Sequence, residues 1–468
     1  MPSLNLKRFI VVLSFIFVKG CISVAFAEEP VKSFLNLKRS EFHSLGGVST
    51  SLNSINVFKN GGTLVTNGDS ITKVSRLQFG GYGEAVVQKM FYSDNVQRYS
   101  KPDVYKDATH SVTDLPHVVF WVGYQFGRGW SLGSEIEFEH GGSGAAYEIE
   151  NEETGEYETE IEKGGEVNLE QFWIEKRWSK VIALRMGHMV IPVGLTNYMH
   201  MPNEFFTVLR PEEETSMIPS TWHETGISLR GKLGKWGYEA MLVNGLAAER
   251  FSNSGWVSNG SISPYETTLA NAFATAVRID NFSIKNLRIG VSGYYGHSGA
   301  NSLKSERYKD VKGAVTIGSM DAVFDNGCLF LRGNLMAGFL SDAGEISEIN
   351  KKMPSASPSP RTDVASRVVN GYLEAGYDIL PWLKSKPEEA EALMIFTHLG
   401  YYDSMNEVAS GTTRKAWCKR YVYSGGINYS PMKELRIKLE YSCRIMDSPW
   451  GKEPTISAAV TYTGLFLK

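Results

Sequence analysis

A serine and three histidines carry the side chains best suited to acid–base or nucleophilic chemistry. Ser220, His223 and the adjacent Glu224 lie in "IPSTWHETG", and His188 and His200 stand upstream in "GHMVIPVGLTNYMHM". A hydrolase built on them would need a histidine within hydrogen-bond reach of the serine, and a carboxylate orienting the ring. From His223 onward the residues alternate between apolar and polar, which is the signature of a strand. Neighbouring side chains on a strand point to opposite faces, so His223 and Glu224 are expected to face apart. That argues against an enzyme. Cys328, Cys418 and Cys443 are too few, and too irregularly spaced, for a metal site or a disulfide framework. A Cys418–Cys443 bridge would need two faces to coincide that the strand register keeps apart. No cofactor motif, phosphate-binding glycine loop or nucleic-acid signature occurs, and neither a cofactor nor a metal is expected.

The other candidate chemistry is electrostatic. Charged residues recur with a period of two, as in "WSLGSEIEFEH", where Glu135, Glu137 and Glu139 share one face. Trp130, Leu132, Ile136 and Phe138 share the other. Ile227 and Leu229 oppose Ser228 and Arg230. Leu435, Ile437, Leu439 and Tyr441 oppose Arg436, Lys438, Glu440 and Ser442. The same parity gathers Arg185, Arg230, Arg278, Arg288, Arg332, Arg436, Lys438 and Arg444 on the polar faces, with Glu84, Glu135, Glu137, Glu224, Glu374 and Glu440. Rows of opposite charge across a narrow lumen would create a transverse field that water and small polar solutes can cross.

From Lys73 onward about sixteen such strand segments can be counted, and their connections separate a membrane barrel from a water-soluble sandwich. "GRG", "SK", "GK" and "PMKE" are tight turns, whereas "GGSGAAYEIENEETGEYETEIEKGG" and "SDAGEISEINKKMPSASPSPRTDVAS" are long and polar. Short and long connections alternating around an even number of strands define an all-β, transmembrane antiparallel β-barrel, with short periplasmic turns and long external loops. Closure leaves no unpaired backbone edge in the bilayer. Phe126, Trp130, Trp178, Trp236, Tyr377 and Tyr429 flank the chain reversals, as an aromatic girdle would. The last segment keeps Ile456, Ala458, Val460, Tyr462, Gly464 and Phe466 on one face. The chain holds 46 Gly, 22 Tyr and 23 Phe with 21% charged residues, which suits glycine-bent, aromatic-flanked strands. A net charge of −3 does not point to nucleic acid.

The first residues read as an export signal. Lys7 and Arg8 precede the apolar "FIVVLSFIFV", and "AFA" ends at Ala27. A lipid-anchor reading at Cys21 is weakened by Lys19 in "VKGC". Three regions are thus expected: a signal peptide over 1–27, a periplasmic leader of undetermined structure over 28–72, and the barrel over 73–468.

At Arg185 to Leu246, "IPVG", "RPEEE", "IPSTW" and the "VNGL" return resemble bacterial porins related to the phosphate-selective porin O and P family. "GGYGE" and "YSGGINYSPMKELRIKLEYS" are similar to other hairpins of those porins. The resemblance implies a sixteen-stranded homotrimeric channel in the bacterial outer membrane, in contact with bilayer and lipopolysaccharide and passing ions or small polar solutes. It does not carry phosphate selectivity, because Tyr147 to Glu166 holds nine glutamates against Lys163. An adhesin or receptor acting through long loops is the alternative, and a barrel hydrolase is disfavoured. "NEFFTVLRPEEETSMIPSTW" falls between two strands, and Pro202, Pro211 and Pro219 prevent it from extending either one. Phe205 and Phe206 are expected to pack on the wall, leaving Arg210, Glu212, Glu213 and Glu214 turned to the opening of an inward-folded constriction.

Overall fold

The period of two in the sequence becomes a wall with an apolar outside and a charged inside. The computed structural model describes residues 76–105, 108–142, 165–261, 269–302, 305–352, 363–388 and 390–467, plus the backbone of four short strands, Thr63–Asn67, Ser70–Val74, Tyr147–Asn151 and Tyr157–Ile161. The expected signal peptide, most of the expected leader and the side chains of the acidic loop lie outside the described residues. Within the leader, Thr63–Asn67 pairs with Ser70–Val74 as a two-stranded ribbon, and Tyr147–Asn151 pairs with Tyr157–Ile161.

Sixteen staves close into one antiparallel barrel. They are β1 (Leu77–Met90), β2 (His110–Asp114 continued by His117–Gly127), β3 (Trp130–Glu139), β4 (Glu166–Arg177), β5 (Ala183–Val190), β6 (His223–Leu233), β7 (Trp236–Asn244) and β8 (Phe273–Asn281). The circuit continues with β9 (Leu287–His297), β10 (Ala314–Asp325), β11 (Leu329–Leu340), β12 (Arg367–Asp378), β13 (Ala392–Glu407), β14 (Lys419–Met432), β15 (Leu435–Ile445) and β16 (Lys452–Leu467). Both pieces of β2 pair with β1, so they count as one stave interrupted at Leu115–Pro116, where proline has no N–H to donate. The barrel closes between β16 and β1, from Thr455 opposite Met90 to Leu467 opposite Phe79. No edge is left open, so every stave has a hydrogen-bonded partner on both sides.

Outward positions are apolar and exposed on many staves: Ile227 and Leu229 on β6, Val291 on β9, Met320 on β10, Leu335 on β11 and Val460 on β16. Trp130, Trp178 and Trp236 are exposed at the short-turn end, and Tyr377 packs its ring 5.2 Å from Trp382 there. Two expected boundaries shift. The turn between β4 and β5 is longer than "SK", since β5 begins at Ala183. That strand also ends at Val190, before "IPVG": Ile191 makes one last bond to the Trp222 carbonyl, and Pro192 cannot donate the next. A strand continued through "IPVG", as the sequence suggests, would confine the connection to Tyr198 to Trp222; it runs over 191–222 instead.

Candidate functional site

Segment 191–222 lies inside the barrel. Ile191, Val193, Leu195, Phe205, Val208, Met217, Ile218 and Trp222 are all essentially buried. Phe206 reaches toward the short-turn end, where it meets Phe330 of β11 edge-to-face and stacks on Phe396 of β13, with ring centroids at 5.1 and 5.7 Å. Gly376 of β12 makes room for that ring: a Cβ there would stand 2.3 Å from it. Beside Phe206, a small recess lined in part by Asn203, Phe206, Asp378, Glu391 and Arg436 opens at the short-turn end.

Inward strand side chains hold this segment by its backbone. Lys438 donates to the carbonyls of Phe205 and Thr207 at 3.2 and 2.8 Å, and Glu440 accepts from the Val208 amide at 2.5 Å. Arg436 donates to the Asn203 carbonyl at 2.8 Å, and Arg332 to that of Glu204. Arg278 donates to the Gly194 carbonyl at 3.0 Å. Charged groups bonding to otherwise unsatisfied backbone suit a non-repetitive segment, which cannot pair its own amides.

The acidic run does not stay free, contrary to the expectation for the opening. Glu212–Thr215 forms a single helical turn after Pro211, and its carboxylates point into the wall. Glu214 accepts from the backbone N–H groups of Leu195 and Thr196 at 3.1 and 2.9 Å and from Asn334 Nδ2 at 2.8 Å. Gly194, at φ +81°, lets the chain pass this carboxylate. Burial raises the Glu214 pKa, and the two backbone donors oppose that rise. Glu213 lies 3.0 Å from His398 Nε2, and Glu212 3.5 Å from Arg444 Nε. Those partners became reachable only because the segment turned inward.

All the charged residues assigned to the lumen by parity have inward side chains. They are covered rather than bathed in solvent: apart from half-buried Arg436 and Arg444, none exceeds 7% exposure. On β8 to β10 they cancel locally. Arg278 stands 3.0 Å from Asp280 and 2.9 Å from Asp321, and Arg288 stands 2.8 Å from each. Arg185 and Arg230 approach Glu175 at 3.0 and 3.8 Å. Arg332 pairs with Glu374 at 3.0 Å, and Glu224 accepts from Trp222 and Ser261.

On β1, β3 and β4 the balance is different. Glu84, Glu135, Glu137 and Glu170 turn inward together and are all buried. His117 of β2 lies 2.8 Å from Glu137 and 3.8 Å from Glu84. Arg210 faces this wall from the segment, donating to the His200 carbonyl at 3.2 Å and to Ser220 at 3.4 Å. Burial by itself disfavours the Arg210 cation, but Tyr82 and the carboxylates of Glu137, Glu170 and Glu84 hold its pKa above the ordinary value.

Parity reasoning passed over several inward groups. Asp280, Asp321, Glu175 and His398 obey the same period as their neighbours and could have been found by it. Glu170 could not. A β-bulge between β3 and β4 pairs Glu135 with Gln171 and Ile136 with Leu169, skipping Glu170. Glu170 and Gln171 consequently both face inward, although they are adjacent in the chain.

The hydrolase candidates do not assemble. His223 contacts His188 at 2.5 Å, and His188 in turn contacts the outward-facing Thr225 at 2.9 Å. Ser220 is bonded to Arg210 and Glu224 to Trp222, so no serine–histidine–carboxylate array forms from these residues. Cys328, Cys418 and Cys443 are free thiols.

The geometry defines a closed sixteen-stave barrel filled by a segment from its own chain. No family model matches this sequence. It is 27% identical over 369 residues, 78% of this chain and 75% of the other, to an uncharacterized protein of Aquifex aeolicus (strain VF5). Among solved structures it is similar to the anion-selective porin from Comamonas acidovorans, at 8% identity and TM-score 0.48 over 83% of this chain and 99% of that one. Salmonella typhi OmpF aligns at 9% identity and TM-score 0.49, covering 83% and 97% of the two chains. A BenF-like porin from Pseudomonas fluorescens Pf-5 aligns at 8% identity and TM-score 0.41, covering 84% and 100%.

Proposed function

We propose that this chain is an integral outer-membrane porin, through which ions and small polar solutes diffuse passively past segment 191–222. The observation that carries the reading is the barrel's two-sidedness. Exposed apolar side chains and short-turn tryptophans cover the outside, while most charged residues at mid-strand positions are buried inside. A closed barrel with an apolar exterior suits a bilayer, and a charged interior suits hydrated solutes. The inserted segment acts as the constriction, because it bonds to β8 and to β11, β14 and β15 and leaves little of the inner surface exposed. The motifs in Arg185 to Leu246 support a relationship to the phosphate-selective porin O and P family and, with it, a homotrimer exported through the 1–27 signal. Phosphate preference does not follow, since the buried carboxylates of β1, β3 and β4 favour cations.

Single-channel recording of the refolded protein in a planar bilayer under a salt gradient tests this reading. Ohmic conductance with a reversal potential toward cations is expected, and Glu84→Gln should move it toward anions. A correctly folded barrel that never conducts would refute the channel. Deleting 203–208 should raise the conductance, and an unchanged value would refute the constriction.

A further inference from the structure

We propose that Glu135 of β3, Glu170 of β4 and His200 of the inserted segment form a binding site for one divalent transition-metal cation of the Zn²⁺ type. The site would pin the segment to the wall opposite its tip. One ligand atom from each of the three residues lies within 4.8 Å of the others, and all three residues are buried. Ligands at about 2.1 Å from a tetrahedral zinc are roughly 3.4 Å apart, so small side-chain rotations close the set around an ion.

Glu170 supplies the second observation. It is 1% exposed, the bulge aims it into the lumen, and neither carboxylate oxygen has a hydrogen-bond partner of good geometry. A buried carboxylate left in that state is costly unless something compensates it. Arg210 attracts this carboxylate but donates to the His200 carbonyl and Ser220 instead, and Glu137 and Thr221 are its other polar neighbours. A bound dication would supply the missing partner.

The surrounding bonds orient the ligands as outer groups do around a metal. His200 Nδ1 lies 3.1 Å from the Asn197 carbonyl. A carbonyl can only accept, so Nδ1 carries the proton and Nε2 of the neutral ring presents the lone pair. Gln171 donates to Glu135 Oε2 and receives the Trp173 indole N–H on its Oε1 at 3.3 Å. That chain fixes the Glu135 carboxylate and leaves Oε1 for the ion. One imidazole and two carboxylates suit Zn²⁺, with water in the fourth position, whereas Ca²⁺ takes six to eight oxygens.

Zn²⁺ titration of the refolded, detergent-solubilised full chain tests the proposal by equilibrium dialysis and metal analysis, with heat-modifiable gel migration reporting the fold. No bilayer is involved, so failure of the channel reading and failure of this one are distinguishable. One equivalent of Zn²⁺ should bind and resist a hundredfold excess of Ca²⁺ or Mg²⁺. Glu170→Gln and His200→Gln should each weaken binding at least tenfold, and either suffices should the other not fold. His117→Gln, which alters a neighbouring His117–Glu137–Glu139 group, should leave the affinity unchanged. The absence of saturable Zn²⁺ binding, or binding lost only in His117→Gln, would overturn the assignment.

Discussion

The two sides of the lumen use buried charge to opposite ends. On β8 to β10, two arginines and two aspartates share four contacts of 2.8–3.0 Å, and Arg278 is 1% exposed. On β1, β3 and β4, four inward glutamates crowd together beside His117, Gln171, Thr221 and Arg210. Charge on the first side is cancelled within the wall and acts as structure. Charge on the second is not matched one to one: Arg210 stands against several carboxylates, so the wall stays acidic toward whatever enters. Counting charges already sets two arginines and two aspartates against four glutamates; the distances add that the first set is paired within its own wall.

The largest expected effect comes from unbalancing the paired side. Arg278→Met leaves Asp280 and Asp321 sharing Arg288 alone, one buried positive charge short, and should cost about 3–5 kcal/mol, read as a lower unfolding midpoint in urea. Glu84→Gln on the other side removes a carboxylate with one oxygen lacking a hydrogen-bond partner, and should be neutral or stabilising. Equal losses in the two variants would erase the distinction. Next, Gly376→Ala sets a methyl against the Phe206 ring. Overpacking there should cost about 1–3 kcal/mol and make 191–222 more susceptible to limited proteolysis. Unchanged cleavage would mean that the tip is held by its polar bonds alone.

The smallest effect lies at the rim of the acidic side. The Asp114 carboxylate, 2.9 Å from His140 Nδ1, raises the His140 pKa above its ordinary 6.5. The stabilisation should therefore be complete below about pH 6.5 and fade as the pH rises through the higher folded value. Both side chains are substantially exposed, so solvent screening keeps the contribution under about 1 kcal/mol. His140→Gln should lower the midpoint slightly at pH 5.5 and not at pH 9. A loss that persists at pH 9 would show a packing role instead.

Much of the barrel was legible because a strand's alternation is a local property. Ile227, Leu229 and Arg230 declare their faces without reference to any partner, and closure follows when enough such strands must hide their edges from lipid. The strand ends were less legible. β5 stops where Pro192 has no N–H to donate, a local cue, but the last bond of Ile191 depends on where Trp222 returns, which is a tertiary fact. Glu170 escaped altogether, since one extra residue in β4 reverses the parity on which the reading depended.

The sequence by itself determined the strand periodicity, the short-turn and long-connection layout, the inward set of charges and the prolines that exclude 203–222 from the sheet. All of these depend on neighbours within a few positions. Only the tertiary structure decided that Phe206 would lodge against Gly376, that Glu214 would bind the backbone at Leu195 and Thr196, and that His200 would meet Glu135 and Glu170. These contacts join staves and segment across the lumen. They exist only once the barrel has closed and the segment has folded into it.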